Sequence, residues 1–570
     1  MDQMFLILEP VGQTEADQTM ALGVLAHRAG NMVEAGYHYR QCLRLNPSHG
    51  LCLNNVALLH VHQQDMNEAL LTIERAAILA PRVAMIHANW AFICLASNWP
   101  DAAVRHAQRA AGLDRSGLTC RAFASILLAT GEVGRAMEAY DAALAEEPDN
   151  QVAAISACFA QSLTDDGPRE FLARRKLVYE RFCADLPKCE PRPKGEQDNP
   201  QRRLRIGYVS GDFRTHSASA IFRAVILRHS AAVEAFCYST APDPEKQDAI
   251  TENFKRTLGP RWRNISALHD AEACALIQRD EIDILVDLSA HSTGGRLGIF
   301  ARKPAPVQVT AWGFALGTGM PEMDYFFADP ITVPESERVH FAEKIWDLPC
   351  LMTLDKSYLD ALGDNPTIPY HANGYITFGC FGRSQKVSGD YLSAVFRILR
   401  ANMDARILFR DFSYHSPDAM RRILHALAGI DPGRIAFSSG PDSAEHMQAY
   451  QQCDIMLDPF PHTGGVSSME QIYMGVPIIT RYGKNIAGRL TASLLTAIGR
   501  EEWIAADIPG YVAKAVGLSR DIPAIEAARK SLRKEFTRSP AMKDYVSEVE
   551  HAYAGMWKNY VSVDKNAKGE

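Results

Sequence analysis

The sequence predicts an α plus α/β multidomain protein, in which a solenoid of short helical repeats precedes two successive Rossmann-like α/β domains. Three observations lead to this prediction. Residues 17–150 repeat themselves, a polar stretch at 186–202 ends the helical region, and short apolar strands alternating with helical segments then occur in two runs separated near 352–372. At 570 residues the chain is long enough for several domains.

The repeats are recognised by small residues that recur about every 34 positions. One series is Gly23, Ala57, Ala91 and Ala124, and a second is Ala35, Ala69, Ala103 and Ala136. This period, with small residues where two helices cross and proline near the end of several units, resembles the tetratricopeptide repeat. We predict four units and a capping helix at 151–163. Such an array typically offers a surface to a protein or peptide, and a packing or dimerisation element is the alternative.

Composition excludes several classes of protein. The net charge of −7 and the pI near 6.2 argue against a general nucleic-acid binder. No stretch approaches the ~18 apolar residues of a membrane span, and the first residues lack the basic region of a secretion signal. The twelve cysteines are scattered singly without metal-binding spacing. This usage is typical of a cytoplasmic protein with free thiols.

The α/β region begins after a linker rich in proline and charge, at 186–202. Strands are predicted at "LRIGYVSGDF", "EAFCYST", "DILVDLS" and "VQVTAWG", and after the second break at "YITFGCFG", "ARILFRDF", "RIAFSSG", "CDIMLD" and "VPIIT". This alternation predicts parallel sheets with a ligand between their facing carboxyl edges. Neither half has G-x-G-x-x-G after its first strand, which disfavours a dinucleotide dehydrogenase, and the chain also lacks a P-loop.

A glycine pair and two serines stand out in "DPFPHTGGVSSMEQIYMGVPIIT", residues 458–480. Ser467 and Glu470 fit the S-x-x-E capping box, which satisfies free amides at a helix N-terminus. Gly464 and Gly465 lie in the turn between a predicted strand and this helix, where a bare helix N-terminus can bind an anion. The motif alone leaves both interpretations open, and they are compatible because a capping box uses only some of the amides.

Longer motifs resemble one family. They are "LRIGYVSGDFRTHSASA", "DILVDLSAHSTGGRLGIFARKPAPVQVTAWG", "MDYFFADP", "HMQAYQQCDIMLDPFPHTGGVSSMEQIYMGVPIIT" and "VEHAYAGMWKNY". Over about residues 200–560 the chain resembles the O-GlcNAc transferase and SPINDLY-type protein glycosyltransferases, whose bacterial branch modifies cytoplasmic flagellin or adhesins. The resemblance implies a GT-B fold and inverting sugar transfer from a nucleotide-sugar donor to Ser or Thr, although Asn-modifying relatives exist. It implies no metal and no cofactor beyond the donor, in agreement with the absence of a D-x-D motif.

This resemblance sets the expected domain boundaries. They are 1–162 for the repeats, 163–202 for a helical linker segment, 203–360 for the acceptor-side half, 361–540 for the donor-side half, and 541–570 for a final helix and a disordered tail. The final helix is expected to pack back across the two halves through aromatic residues on one face: Tyr545, Tyr553, Trp557 and Tyr560.

The resemblance also implies roles for donor-binding residues. Lys386 in "FGRSQK" matches a lysine that neutralises the departing diphosphate, where a fixed cation gives strong help. The expected diphosphate loop comprises Gly464, Gly465, Ser467 and Ser468. Glu470 matches an acidic residue that binds the ribose hydroxyls, and His446 matches a histidine that contacts the base.

Two histidines of the first half, His216 and His291, follow predicted strands and are expected in the active site, with the general base left unassigned. The sequence departs from the family at Ala315 and Leu316, and at Arg383, which could face the diphosphate or an acidic donor sugar. UDP-GlcNAc or another UDP-hexose is the leading donor, with GDP-fucose and CMP-nonulosonic acids as alternatives.

The expected acceptor is a protein recruited by the repeats, with flagellin suggested by the bacterial relatives, and a homo-oligomer formed through the repeats stays open. Two other functions also stay open. One is a repeat scaffold that binds nucleotide without transferring sugar, and the other is a transferase acting on a small molecule or polysaccharide.

Overall fold

The computed structural model describes residues 6–7, 14–192, 199, 202–241, 248–314, 316–355, 367–415, 417–439 and 443–567. They group into two compact units. The repeat unit comprises residues 1–160 and 413–423, and the α/β unit comprises 161–412 and 424–570. The sequence assigns 413–423 to the second α/β half because this segment follows one of its strands. By its contacts the segment groups with the repeats instead.

The repeat unit confirms the predicted array of helix pairs. Its helices are α1 (Glu15–Arg28), α2 (Met32–Leu45), α3 (Gly50–His62), α4 (Met66–Leu79), α5 (Ala84–Ala96), α6 (Pro100–Leu113), α7 (Gly117–Ala129) and α8 (Val133–Glu146), with α9 (Gln151–Gln161) in the position predicted for the capping helix. The small residues lie where the helices of a pair cross. A Cβ on Gly23 would come 2.5 Å from the Tyr39 ring, and Ala35 is fully buried.

Three buried asparagines form a relay inside the repeat unit. Asn89 donates to the Asn54 side chain at 3.0 Å, and Asn54 donates to Asn55 at 3.0 Å. The Asn55 amide also exchanges two hydrogen bonds with the main chain of Ile7, accepting from its N–H at 3.0 Å and donating to its carbonyl at 3.1 Å. The residue pair 6–7 packs on the apolar cluster of α3 and α4. Asn55 therefore holds the segment at 6–7 by its backbone.

The first half of the α/β unit follows α10 (Pro168–Phe182). It contains β1 (Leu204–Ser210), α11 (Ser217–Ile226), β2 (Val233–Ser239), α12 (Ala249–Leu258), β3 (Trp262–Asn264), α13 (Asp270–Arg279), β4 (Ile284–Asp287), α14 (Leu297–Ala301), β5 (Val307–Thr310), β6 (Tyr325–Ala328) and β7 (Lys344–Asp347). The strands form a seven-stranded parallel sheet in the order β3-β2-β1-β4-β5-β6-β7.

The second half repeats this architecture with six parallel strands, ordered β10-β9-β8-β11-β12-β13. Its elements are α15 (Tyr370–Asn373), β8 (Thr377–Cys380), α16 (Gly389–Ala401), β9 (Arg406–Arg410), β10 (Ile435–Ser438), α18 (Ser443–Ala449), β11 (Ile455–Leu457), α19 (Val466–Tyr473), β12 (Ile478–Arg481), α20 (Leu490–Ala497), β13 (Ile504–Ala505), α21 (Ile508–Ser519) and α22 (Ile522–Arg538). Between β9 and β10 lies α17 (Pro417–Ala426), whose residues 417–423 group with the repeat unit.

Both sheets reverse their strand order at one point, between β1 and β4 in the first half and between β8 and β11 in the second. Loops that leave the carboxyl ends of such neighbouring strands diverge and open a crevice, which is where open α/β sheets bind ligands. The segments after these four strands carry the predicted site residues except His446, which lies in α18 after β10. Fold topology therefore selects the same segments that the motifs selected.

An ion pair between a buried arginine and a partly buried glutamate joins the two halves. Arg489 makes two hydrogen bonds to the Glu337 carboxylate, at 2.6 and 2.7 Å, and also donates to the carbonyls of Thr332 and Gly483. Near this pair, the Ser493 hydroxyl donates to the Asp329 carboxylate at 2.6 Å. The partners satisfy a charge that would be costly to bury alone.

The last helix, α23 (Tyr545–Ala567), packs on the first half. Tyr553 lies 3.2 Å from the Tyr208 hydroxyl, and the Trp312 indole donates to the Tyr545 hydroxyl at 3.0 Å. Trp557 is fully buried. The helix continues to Ala567, and the rest of the predicted tail, 568–570, lies outside the described residues.

Candidate active site

The loop after β11 is anchored by a buried carboxylate that the sequence analysis did not select. Asp458 accepts hydrogen bonds from the Gly464 amide at 2.8 Å and from the Thr480 hydroxyl at 2.7 Å. Burial raises the pKa of Asp458 to about 6, against these hydrogen bonds, which lower it. The aspartate therefore closes residues 458–464 into a tight loop. An aspartate at the carboxyl end of a buried strand is the sequence signal that could have identified it.

The predicted capping box is wrong. Helix α19 begins at Val466 with Gly465 as its N-cap, so Ser467 is the second residue of the helix and makes no capping hydrogen bond. The reason is local, because the two glycines let the chain enter the helix two residues earlier than a serine cap would. Within the described segments, no hydrogen bond to the amides of Val466 and Ser467 is formed. This helix N-terminus therefore presents free N–H groups.

Lys386 connects this loop to the loop after β8. It ends a short 3₁₀ turn at Ser384–Lys386, and its Nζ donates to the Thr463 carbonyl at 2.8 Å. Burial, assisted by the charge of Arg383, lowers the pKa of Lys386 to about 7, although Asp458 and Asp411 act in the opposite direction. Arg383 itself is exposed. A lysine with so low a pKa can gain a proton when an anion arrives.

The predicted base and ribose contacts lie together beside α19. Glu470, which is buried, accepts from the Tyr450 hydroxyl at 3.0 Å and lies 3.3 Å from His446 Nε2. The rings of Tyr450 and Phe381 stack with centroids 4.5 Å apart, and the His446 ring lies 5.9 Å from Phe381. A carboxylate, an imidazole and a stacked aromatic pair thus form one cluster.

The two serines have different environments. Ser467 is half-buried at the start of α19. Ser468 is fully buried, and its hydroxyl lies 2.8 Å from the Thr491 hydroxyl. A Cβ on Gly464 would come 2.1 Å from the Ser468 oxygen. Ser468 therefore packs beneath the loop, whereas Ser467 lies at the helix terminus.

His216 reaches the same region from the first half. It is the N-cap of α11, its Nδ1 accepts from the Ala218 amide at 3.3 Å, and its side chain is 44% exposed. Partial burial lowers the pKa of His216, and the charges of Arg214 and Arg383 lower it further. The negative charge of Asp212 acts in the opposite direction. Since Arg383 belongs to the second half, the two loops face each other across the cleft.

His291 is placed differently. Its side chain is 1% exposed, and neither ring nitrogen has a hydrogen-bond partner in the described part of the chain. Burial and the nearby charge of Arg175 hold the pKa of His291 well below its usual value. The ring is therefore neutral and enclosed, in contrast to the exposed ring of His216. The structure does not bring these two histidines into one exposed pair.

A small depression lies beside the loop where the sequence departs from its relatives. Leu316 lines it together with Arg175, Gly317 and Glu343. The neighbouring Ala315 lies outside the described residues.

His462 is another residue that the sequence analysis did not select, although it lies inside the quoted motif. Its Nδ1 lies 3.0 Å from the Ser162 carbonyl. Across the described ranges, no group of three or more His, Cys, Asp or Glu residues is arranged to hold a metal ion. No helix among them has the length and apolar character needed to span a membrane.

The chain is similar to one protein family and to several known proteins. The profile of glycosyl transferase family 41 matches residues 186–355 and 368–549. A probable UDP-N-acetylglucosamine–peptide N-acetylglucosaminyltransferase SPINDLY of Oryza sativa subsp. japonica is 31% identical over 449 residues, covering 76% of this chain and 47% of the rice protein. The Arabidopsis thaliana protein of the same description is 33% identical over 377 residues, covering 64% of this chain and 40% of that protein. The chain thus spans about half the length of these plant relatives.

A solved structure matches over nearly the whole chain. It is the Thermobaculum terrenum O-GlcNAc transferase, in a variant with one lysine replaced by methionine. The sequences are 29% identical, the match covers 97% of this chain and all of the other, and the TM-score is 0.78.

Proposed function

Because the chain belongs to glycosyl transferase family 41, we propose that it transfers a sugar from a nucleotide-sugar donor to a Ser or Thr hydroxyl of a protein acceptor. The observation that carries this proposal is the position of Lys386, whose Nζ lies 2.8 Å from the Thr463 carbonyl in the loop that ends at the α19 N-terminus. A cation and free helix amides then converge on one place, where a diphosphate can be bound.

Sugar transfer at this loop requires, above all, stabilisation of negative charge on the leaving diphosphate. As the bond between the sugar and the diphosphate breaks, negative charge grows on the departing phosphate. The charged form of Lys386 and the amides at the start of α19 would stabilise that charge. We propose no metal for this step and no cofactor besides the donor.

The nucleoside would occupy the cluster beside α19. Glu470 can accept hydrogen bonds from ribose hydroxyls, and the half-buried His446 lies beside it for contact with the base. We propose UDP-GlcNAc as the leading donor, following the names of the relatives. GDP-fucose and CMP-nonulosonic acids are the alternatives, and the exposed Arg383 could bind an acidic sugar.

The acceptor would approach from the first half, where His216 is exposed at the cleft. The asparagine relay of the repeat unit supports a polypeptide acceptor, because Asn55 holds the backbone of Ile7 through two hydrogen bonds. Such contacts bind an extended chain whatever its side chains. Flagellin is our candidate acceptor.

The test is calorimetric titration of the wild-type protein with UDP, GDP, CMP and dTDP, followed by single-turnover sugar transfer to a bacterial lysate. Selective binding of one nucleotide is expected, lost in a Ser467→Ala/Glu470→Gln double variant. Glu445→Ala is the matched control, since Glu445 is an exposed residue adjacent to His446.

Absence of binding to all four nucleotides would overturn the proposal. Nucleotide binding without transfer of sugar to any protein would favour the alternative of a repeat scaffold.

A further inference from the structure

The hydrogen bond of His462 determines which of its ring nitrogens carries a proton. A carbonyl oxygen can only accept, so the contact of 3.0 Å between Nδ1 and the Ser162 carbonyl requires the proton on Nδ1. A neutral imidazole protonated at Nδ1 has an unprotonated Nε2, which can only accept a hydrogen bond. Ser162 therefore sets the tautomer of His462.

The ring stays neutral in its surroundings. Burial, together with the charges of Lys386 and Arg383, holds the pKa of His462 well below its usual value. His462 Nε2 forms no hydrogen bond with the described residues, and it is not among the enclosed polar atoms without a partner. His462 Nε2 is thus a bare acceptor without a partner among the described residues, and the charges of Lys386 and Arg383 act on its ring.

The position of His462 in the loop limits which part of a bound donor can form a hydrogen bond with its Nε2. It directly precedes Thr463, whose carbonyl accepts the hydrogen bond from Lys386 Nζ. An ionised phosphate oxygen has no proton to donate, so a bare Nε2 cannot bind the diphosphate itself. A nucleotide sugar carries a nucleoside at one end of its diphosphate and the sugar at the other. The nucleoside is assigned above to the cluster of Glu470 and His446, which leaves the sugar, whose hydroxyl and amide groups do donate.

We propose that His462 is a specificity-determining residue whose Nε2 accepts a hydrogen bond from a hydroxyl or amide N–H of the transferred sugar. This inference rests on the proposed function, because it presupposes that a nucleotide sugar occupies the loop. It adds that the sugar is recognised by a hydrogen-bond acceptor, His462 Nε2. The tautomer that leaves this nitrogen unprotonated is set by Ser162, in the segment between α9 and α10.

Two substitutions separate this role from a structural one. His462→Asn keeps an amide N–H near the position of Nδ1, so the bond to Ser162 can be retained, but it removes Nε2. His462→Gln places its amide oxygen near the position of Nε2 and gives up the bond to Ser162. Calorimetry would compare UDP with UDP-GlcNAc, GDP with GDP-fucose, and CMP with CMP-N-acetylneuraminate, using the pair that the wild-type protein binds.

The expected result is that His462→Asn binds the nucleotide sugar about five- to tenfold more weakly, as for loss of one hydrogen bond, and leaves affinity for the free nucleotide unchanged. His462→Gln should restore part of the sugar-dependent affinity. The inference is overturned if His462→Asn matches the wild type while His462→Gln loses affinity for both ligands of the pair, since His462 would then only position the loop. It is also overturned if neither variant changes the difference between the two ligands. Failure of the wild-type protein to bind any pair would instead defeat the proposed function.

Discussion

The low pKa of Lys386 predicts that nucleoside diphosphate binding takes up a proton. In the free protein this pKa is about 7, because burial and Arg383 disfavour the charged amine. A bound diphosphate supplies the opposite charge, so the pKa should return toward the ordinary value of about 10.4. At a pH between these two pKa values, Lys386 is mostly neutral in the free protein and must take up a proton when the diphosphate binds.

The size of the effect follows from the protonated fraction. With a pKa of about 7, that fraction falls from roughly one quarter at about pH 7.5 to roughly 3% at about pH 8.5, and affinity should fall about eightfold. The slope approaches about 1.4 kcal/mol of binding free energy per pH unit. The sign is fixed: affinity for the diphosphate weakens as pH rises, because the lysine that must be charged is increasingly neutral.

The assay is titration calorimetry with UDP, or with the diphosphate that binds, in buffers of different ionisation enthalpy. Proton uptake should approach about one per site near the upper pH. The matched control is Lys386→Arg, because a guanidinium stays charged over this range and should abolish both the uptake and the slope. Equal affinity of the wild-type protein at both pH values, or the same slope in Lys386→Arg, would refute the reasoning.

Three further predictions concern packing. Gly464→Ala should cost about 1–3 kcal/mol of unfolding free energy and abolish nucleotide binding, because its Cβ would lie 2.1 Å from the Ser468 oxygen. The control is Gly389→Ala, whose Cβ would have nothing within 4 Å. This variant should keep wild-type stability in denaturant unfolding and wild-type nucleotide affinity in calorimetry. Arg489→Met should lower the unfolding free energy of the α/β unit by about 3 kcal/mol, because it leaves the partly buried Glu337 carboxylate without its partner; a change below about 0.5 kcal/mol would contradict this assignment. Trp557→Ala should cost about 3–5 kcal/mol in the same measurement, and a midpoint equal to that of the wild type would show that the fully buried indole does not stabilise the first half.

Periodic features of the fold could be predicted from the sequence, and features set by a single residue could not. The helix pairs are confirmed because small residues must recur where helices cross, as Gly23 does against Tyr39. The strands β3, β6, β7 and β13 were not predicted. Each has only two to four residues, and none alternates regularly between buried and exposed positions, so they carry little periodic signal.

Side-chain environments in the candidate site were harder to predict than its location. The motif located the loop correctly, but S-x-x-E spacing could not reveal that Gly465 starts the helix and that Glu470 turns to Tyr450. His291 follows a strand just as His216 does, yet the first is enclosed and the second exposed. Such differences depend on residues distant in sequence, such as Arg175 for His291.

The docking of α23 on the first half has a consequence for synthesis of the chain. Tyr208 and Trp312, in and beside the first sheet, contact Tyr553 and Tyr545 of the last helix. A ribosome adds about 5–20 residues per second, so roughly 20 to 70 seconds pass between the synthesis of Tyr208 and that of Tyr553. During that time the nascent first half exposes aromatic surface that the finished protein hides. Chaperone binding during translation should therefore concentrate there until the final helix emerges.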